Sequence, residues 1–481
     1  IKKSDGKPIE AWVARGIDHV IMVEKDRYGV QHPVGWSNWP ALDPIHHPTE
    51  TLQFGQDVVD ANLADYELKN GFTAGVFASY HIYPFNPEFI IYDPGYVATK
   101  DRHGKVNAYL GYLNDIVAAH KGVPLFVTEF GVPSSFGVAH MNPNAHDHGG
   151  YTEQEQAAIN VLLYEAIVDS GCAGAVIFEW LDEWFKRTWM TNTTMLPPER
   201  GPMWWDVISP EENFGIKTFY PIPGQSVHID GDPSDWPKAR FVAGEKSDGT
   251  LRKVEVAVDP AFVFVHVELD GVDPLSAIDA KDRVLMIGFD TVDGVSGESK
   301  WPENAQDPAG KPLRVDPSAG LESVVILDPT AAKWHLVTAK DYDPTPRLNG
   351  LSKTGGVPES KADGAFSLAA WIINNDQQYI AAGGDVTPFK RYYYPGKLTI
   401  GDSETITTAH MKSSKGHLEL RIPWHALWIT DPSSRHVLYD EPATIGYDSR
   451  KTSGMRVVTA WLKRDNGALK LTEGLPANSA G

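Results

Sequence analysis

The sequence holds one cysteine, Cys172, in 481 residues. A lone thiol excludes an internal disulfide framework and a cysteine-based zinc site. Cys172 stands between Gly171 and Ala173 just ahead of an apolar run, the setting of a small buried residue. No run of about 18 apolar residues occurs, so no transmembrane helix is expected. The first residues, Ile1 to Lys7, have neither an initiator Met nor the apolar centre of a signal peptide. The expectation is a processed, cleaved or cloned piece of something longer. Positive charge is also scarce: 43 Lys and Arg against 63 Asp and Glu give a net charge of −20, with a pI of about 5.3. That field repels nucleic acid and anionic membrane, and neither is expected as a partner. A neutral ligand such as a sugar is not penalised by it.

The chain is too long for one ordinary core, and two or three domains are expected. Hydrophobic residues make up 42% and charged residues 22%, a globular balance. Aromatic residues are plentiful, with 15 Trp, 18 Tyr and 18 Phe. Such rings stack on sugars, but they also fill cores.

Residues 8–28 place Ile9, Trp12, Val13, Ile17, Val20, Ile21 and Val23 at helical spacing. His32–Trp39 predicts a first strand, whose end and following loop hold Asn38, Trp39, Asp43, His46 and His47. A loop with Asp57, Asp60 and Asp65 leads to a second strand, Ala74–Tyr80, followed by His81, Tyr83 and Pro84. Tyr109–Lys121 predicts an amphipathic helix. Leu125–Glu129 then reads as a buried strand that ends on a carboxylate and is broken by Gly131 and Pro133. Glu153–Ser170 predicts another helix, with Thr152 as its N-cap. Gly174–Trp180 is the fourth strand, followed by Asp182, Glu183 and Trp184. This alternation signals a parallel α/β sheet with helical crossovers. The pattern stops near residue 220 after four strands, whereas a closed barrel of this kind has eight.

Tyr220–Gln225 reads as a linker, and alternation at period two dominates beyond it. Strands are expected at Val254–Val258, Val263–Leu269, Val284–Phe289, Ser323–Leu327, Trp334–Val337, Leu398–Ile400, Leu418–Ile422 and Val457–Leu462. Turns rich in Gly, Asp and Pro separate them, the pattern of an antiparallel β-sandwich. Gly294–Pro317 and Asp341–Lys361 read as long polar insertions. The expected fold class is thus α/β in residues 1–220, a linker at 221–227, and an all-β sandwich in residues 228–481.

In a parallel barrel the strand ends share one face, so side chains distant in sequence converge there. Here those ends offer Asn38 and Trp39, then His81 and Tyr83, then Glu129, then Trp180. The mixture suits glycosidic chemistry. A carboxylate can attack an anomeric carbon, a Tyr and a His can hold that carboxylate, and a Trp can floor the sugar. His46 and His47, and His140, His146 and His148 with Asp147, raise the question of a metal. Loop histidines beside Asp and Gly more often face solvent or substrate, and no metal is assigned to them.

Three segments carry a resemblance. Thr128-Glu129-Phe130-Gly131, Ser79–Pro84 and Phe178-Glu179-Trp180 resemble the ends of strands seven, six and eight in clan A retaining glycoside hydrolases, similar to families 5 and 2. The resemblance implies a (β/α)₈ barrel of which this chain has strands five to eight. It implies Glu129 as nucleophile, Tyr83 and His81 as its orienters, and Trp180, Trp39, Asn38, Glu183 and Trp184 as sugar-binding residues. No cofactor is required for that chemistry. The clan's general acid/base is a Glu in an Asn-Glu pair at the end of strand four, and the sequence has no Asn-Glu dipeptide. The expected position lies upstream of Ile1; Glu179, Asp182 and Glu183 are weaker candidates for the acid. A half barrel leaves two sheet edges open, so a second chain is expected to complete it, either the N-terminal half or another copy.

Residues 228–470 resemble the family-9 carbohydrate-binding module. The marks are Ile229–Trp236, Val284–Asp290 and Glu419–Trp424. Trp236 and Trp424 are expected in the core, with Trp301, Trp371 and Tyr392 to Tyr394 as candidate sugar platforms. Asp230, Asp232 and Asp235 either hold a structural calcium, as such modules often do, or cap their own turn. The reading is a glycoside hydrolase at an extracytoplasmic or secreted location. The alternative is a non-catalytic carbohydrate-binding protein with an incomplete barrel, and a weaker third is a structural or cell-surface interaction protein.

Overall fold

Four short strands lie side by side in the first half of the computed structural model: β1 (Ser37–Asn38), β2 (Ala78–His81), β3 (Leu125–Phe130) and β4 (Gly174–Ile177). They neighbour one another in chain order and every pairing is parallel. The structure describes all residues except 1, 4–5, 51–59, 197–203, 219–226, 238–239, 273–281, 295, 332, 352, 354, 358, 375–377, 382–383, 389–390, 403–409, 442–443, 445 and 477–481. Asp57 and most of the expected linker at 221–227 therefore fall outside the described residues.

Helix α1 (Pro8–Val23) precedes β1, α2 (Ala108–Ala119) connects β2 to β3, and α3 (Glu153–Asp169) connects β3 to β4. Local chemistry sets their starts. Thr152 Oγ1 accepts from the Glu155 amide at 3.1 Å while Glu155 Oε2 accepts from the Thr152 amide at 2.8 Å, a reciprocal cap. Asn107 Oδ1 caps α2 through the Leu110 amide at 2.9 Å. The helix expected to reach residue 28 changes at Glu24 into a single wider turn, Glu24–Tyr28, and Gly29 ends it with φ +67°. The first, second and fourth strands are shorter than expected. Pro33 has no amide to donate, and that stretch reaches its neighbour only through a bridge from Val34 to Val76.

One face of the parallel sheet is apolar and packed. Ala78, Tyr80, Leu125 and Val127 share a buried cluster with Tyr109, Tyr112, Leu113 and Ile116 of α2 and Ile159, Leu163 and Ile167 of α3. Val176 on β4 is 55% exposed, and Trp12 on α1 and Val161 and Val168 on α3 exceed half exposure. Among the described residues no helix is long and apolar enough to cross a membrane.

The second half is β-rich. One six-stranded sheet runs Thr399–Ile400, His410–Ser414, His417–Pro423, Phe262–Leu269, Leu251–Val258 and Phe241–Glu245. The other runs Phe366–Ser367, Lys333–Ala339, Ser323–Asp328, Arg283–Asp290, Arg456–Asp465 and Ala468–Leu475. Pairing is antiparallel except between Thr399–Ile400 and His410–Met411. Val254, Val256, Val265 and Val267 of the first sheet join Leu285, Ile287, Phe289 and Val325 of the second in one core. The strands Phe241–Glu245, His410–Ser414 and Ala468–Leu475 were not expected, because their polar or glycine-broken stretches give a weak period-two signal.

Arg283–Asp290 is buried on both faces: Val284 and Met286 pack outward against Trp301, Ala305, Leu313 and Val315. The expected polar insertion Gly294–Pro317 is therefore a cover for the outer face of this sheet. Trp301 and Trp371 are 1% and 2% exposed, which corrects their candidacy as sugar platforms. Tyr393 is buried as well, while Tyr392 is exposed. Trp236 is in the core, and Trp424 is half-buried with its indole N–H donating to the Asp259 carbonyl at 2.9 Å.

The two halves share packing. Val138, Ala139, Met190 and Ile208 belong to the same cluster as Val254, Val256, Val265 and Val267 of the β-rich half. Within the second half, Glu419 ties its opening motif to its late one. Its Oε1 accepts from Trp236 Nε1 at 2.6 Å and its Oε2 from the Gly231 amide at 2.7 Å. Glu419→Ala would strand those buried donors and should lower unfolding free energy by about 3 kcal/mol, with a smaller loss for Glu419→Gln. Denaturant titration checks this; an unchanged midpoint in the Ala variant would contradict it.

Candidate active site

The polar face of the parallel sheet is built by an irregularity at Thr128. Along β3, Leu125 and Val127 point to the helices, and strict alternation would send Glu129 the same way. The register with β2 instead skips a residue: Tyr80 pairs with Val127, but His81 pairs with Glu129. A one-residue bulge re-aims the side chain that follows it. Glu129 thereby shares the face of Ser79 and His81, and Phe130 returns to the buried side. Thr128 marks the spot, with its hydroxyl 2.8 Å from Ser79 Oγ.

Two side chains from the end of β2 meet the redirected carboxylate. Tyr83 Oη donates to Glu129 Oε2 at 2.7 Å, and His81 Nδ1 lies 3.1 Å from the same oxygen. Glu129 Oε1 is thus the oxygen not engaged by either group. Burial and the adjacent Glu129 charge push the Tyr83 phenol well above its usual range, so it remains a donor. Tyr83 is braced by aromatic rings: Phe85 at 5.3 Å, Phe214 at 5.8 Å and Phe178 at 6.4 Å between centroids.

Further acidic groups gather on the same side. Glu179 lies two residues past the end of β4, its amide donating to the Phe214 carbonyl at 3.3 Å. Lys186 Nζ sits 4.2 Å above the Phe178 ring and 2.8 Å from Glu183 Oε2. Burial, with Glu183 and Asp182 adding to it and Lys186 opposing it, pushes the Glu179 carboxyl up to about 8. Glu211 is held below its usual range by His148, whose Nε2 is 3.1 Å from Glu211 Oε1. Carboxyl groups outnumber ammonium groups in this cluster, with Glu129, Glu179, Glu183 and Glu211 against Lys186, an arrangement that disfavours anionic ligands.

Not every residue expected here arrives. Asn38 pairs in register with Tyr80 and donates to its hydroxyl at 3.4 Å. Tyr80 Oη in turn meets His120 Nε2 at 3.3 Å, at the end of α2, so Asn38 is on the helix side of the sheet. Trp39 is 40% exposed, with its amide bonded to Asn38 Oδ1. Trp180 is 60% exposed and lies under Lys217 Nζ at 4.7 Å. Glu183 stands in the acidic cluster. Trp184 stacks on Trp205 at 5.6 Å. Phe178, the residue before Glu179, is the aromatic group of that segment that touches Tyr83.

Sequence reasoning missed Glu211, Lys186, Phe85 and Phe214, which carry no motif. It noted His148 only as a metal candidate. His47 is structural: it is buried, stacked on Phe89 at 3.8 Å, and 3.1 Å from Asp43 Oδ2. Asp230, Asp232 and Asp235 accept from the amides of Asp232, Ser234 and His228 respectively, as turn caps do. Among the described residues no group of three or more His, Cys, Asp or Glu side chains is placed to share an ion.

Compared with models of known protein families and with curated proteins, the sequence matches none.

The raised Glu179 carboxyl has a measurable consequence. The folded chain binds this proton more tightly than the unfolded chain, so Glu179 lowers stability as pH rises from 4.5 to about 8. Glu179→Gln should melt with wild type below pH 4.5 and above it by a growing margin toward pH 8. Melting curves across that range test this, and a margin that shrinks with pH would contradict it.

Proposed function

We propose that this chain is part of a retaining glycoside hydrolase, with Glu129 as the nucleophile. One observation carries the reading: a carboxylate at the end of a parallel strand, held by a Tyr hydroxyl at 2.7 Å and a His at 3.1 Å. Four parallel strands in chain order, with α2 and α3 as crossovers between β2 and β3 and between β3 and β4, support the second half of a (β/α)₈ barrel, whose strand ends carry the chemistry. The β-rich half is read as a sandwich resembling the family-9 carbohydrate-binding module.

In this reading Tyr83 holds Oε2 so that Oε1 attacks the anomeric carbon. The leaving oxygen takes a proton from an acid, and water then cleaves the glycosyl–Glu129 ester. The proton donor is assigned to a Glu outside residues 1–481, on the strand that would precede β1. The acidic surroundings favour a neutral sugar over a uronic acid. In this reading the substrate is a poly- or oligosaccharide, and the protein works at an extracytoplasmic or secreted location. A second chain, either an N-terminal half or another copy, would cover the edges at β1 and β4 and the exposed apolar residues Trp12, Val161, Val168 and Val176.

Glu129→Gln should abolish turnover of aryl glycosides with the fold intact by circular dichroism. Tyr83→Phe, losing a hydrogen bond to a charged group, should cost about 10- to 100-fold in kcat. Undiminished turnover in Glu129→Gln would rule the reading out. Saccharide binding with no product from any substrate would favour the binding-only alternative. Light scattering should give a mass above one chain; one 53.0 kDa chain with no co-purifying polypeptide would count against the completing partner.

A further inference from the structure

Two stretches leave the parallel sheet, run against the β-rich half, and return side chains to the neighbourhood of Tyr83. Residues 136–149 follow β3 and bring His140 and His148. Residues 188–196 and 204–211 follow β4 and bring Trp189 and Glu211. His148 is stacked on Phe85 at 4.1 Å with the rings 2° apart, and Phe85 is the ring beside Tyr83. Trp189 Nε1 donates to His140 Nε2 at 3.1 Å, and the indole is 42% exposed. An accessible indole near the half-buried Glu211 carboxylate offers an apolar face for a sugar ring and polar atoms for its hydroxyls, while the His148 ring is buried behind Glu211.

Both stretches are fastened from the β-rich half. Asn374 grips the peptide groups on either side of His140. Its backbone amide donates to the Ala139 carbonyl at 3.3 Å. Its side chain accepts from the Met141 amide at 3.1 Å and donates to the Met141 carbonyl at 3.3 Å. Asn374 is fully buried and has φ +54°, a conformation that Asn and Gly tolerate. Tyr393 Oη adds a bond to the Phe136 carbonyl at 3.0 Å. On the other stretch, His425 Nδ1 meets Asp206 Oδ2 at 2.9 Å and its Nε2 meets Thr194 Oγ1 at 2.8 Å, with His425 and Asp206 fully buried.

We propose that Glu211 and Trp189 bind the neutral sugar unit next to the reacting one, with buried His148 holding Glu211 from behind, and that Asn374 of the β-rich half is the positioning residue that holds this wall through His140. The inference rests on the reading above for where the reacting sugar sits. It gives the β-rich half a role at the candidate site besides any sugar binding of its own.

The test uses Glu129→Gln protein, so that binding is measured without turnover, and calorimetry with neutral tetraoses of glucose, xylose, mannose and galactose. Trp189→Ala and Asn374→Gly should each weaken the tightest tetraose by about tenfold or more, the cost of losing one good contact. Glycine keeps the positive φ and removes only the side-chain clamp. Should that variant fail to fold, Asn374→Asp, which keeps the acceptor and removes the donor, should give a smaller loss. With Glu129 restored, and a dinitrophenyl tetraoside as substrate because its leaving group needs no acid, the Asn374 variant should raise KM more than it lowers kcat, a split that a general loss of stability does not produce. Unchanged affinity in either the Trp189 or the Asn374 variant overturns the proposal, as does failure of all four tetraoses to bind. Tetraose binding that both variants weaken, in a protein with Glu129 restored that forms no adduct with any dinitrophenyl 2-deoxy-2-fluoro glycoside, overturns the hydrolase reading alone.

Discussion

The hydrogen bond from Tyr83 to Glu129 depends on a backbone event one residue earlier. Without the bulge at Thr128, Glu129 would point with Leu125 and Val127 into the helix layer, where a carboxylate has no partner and a high desolvation cost. With it, the carboxylate reaches the polar face, where a phenol and an imidazole converge on one oxygen. A bulge in a parallel pair is uncommon, and the Ser79–Thr128 contact fills the space it opens. The rest of the functional reading follows from this change of face.

Around that carboxylate the chain places aromatic rings, then acids, then the second half of the molecule. Tyr83 is wedged among Phe85, Phe178 and Phe214, which fixes its hydroxyl without polar competition. The outer acids differ in their environments: burial raises Glu179, whereas His148 keeps Glu211 ionised. Separated titrations of neighbouring carboxyls are a mark of functional sites, though ion-pair networks also produce them. The merged core at Val138, Ala139, Met190 and Ile208 means the β-rich half is packed into the first half rather than trailing from it.

Much of the first half was legible because its signals are local. The apolar run Leu125–Val127 broken at Gly131 gave the strand, and Thr152 as N-cap gave the start of α3. Asn38 is a case where local reading fails. It stands at a strand end, yet its register with Tyr80 turns it to the helix side, and register is not written in one strand. Trp301 shows the same limit, since an indole in a polar stretch reads alike whether it faces solvent or caps a sheet. Glu211 and His148 meet only because two long excursions fold against the second half. Trp180 stood for its segment in the sequence reading, whereas Phe178 makes the contact with Tyr83.

The central claim is that Glu129 is a nucleophile toward an anomeric carbon. The most direct measurement is mass spectrometry of peptides after incubation with dinitrophenyl 2-deoxy-2-fluoro glycosides of several neutral sugars. Their leaving group departs without a protonating acid, so the result does not depend on where the acid resides. The account predicts a fluoroglycosyl adduct on the peptide containing Glu129. An adduct on a different carboxylate, or none with any of these sugars, would contradict it.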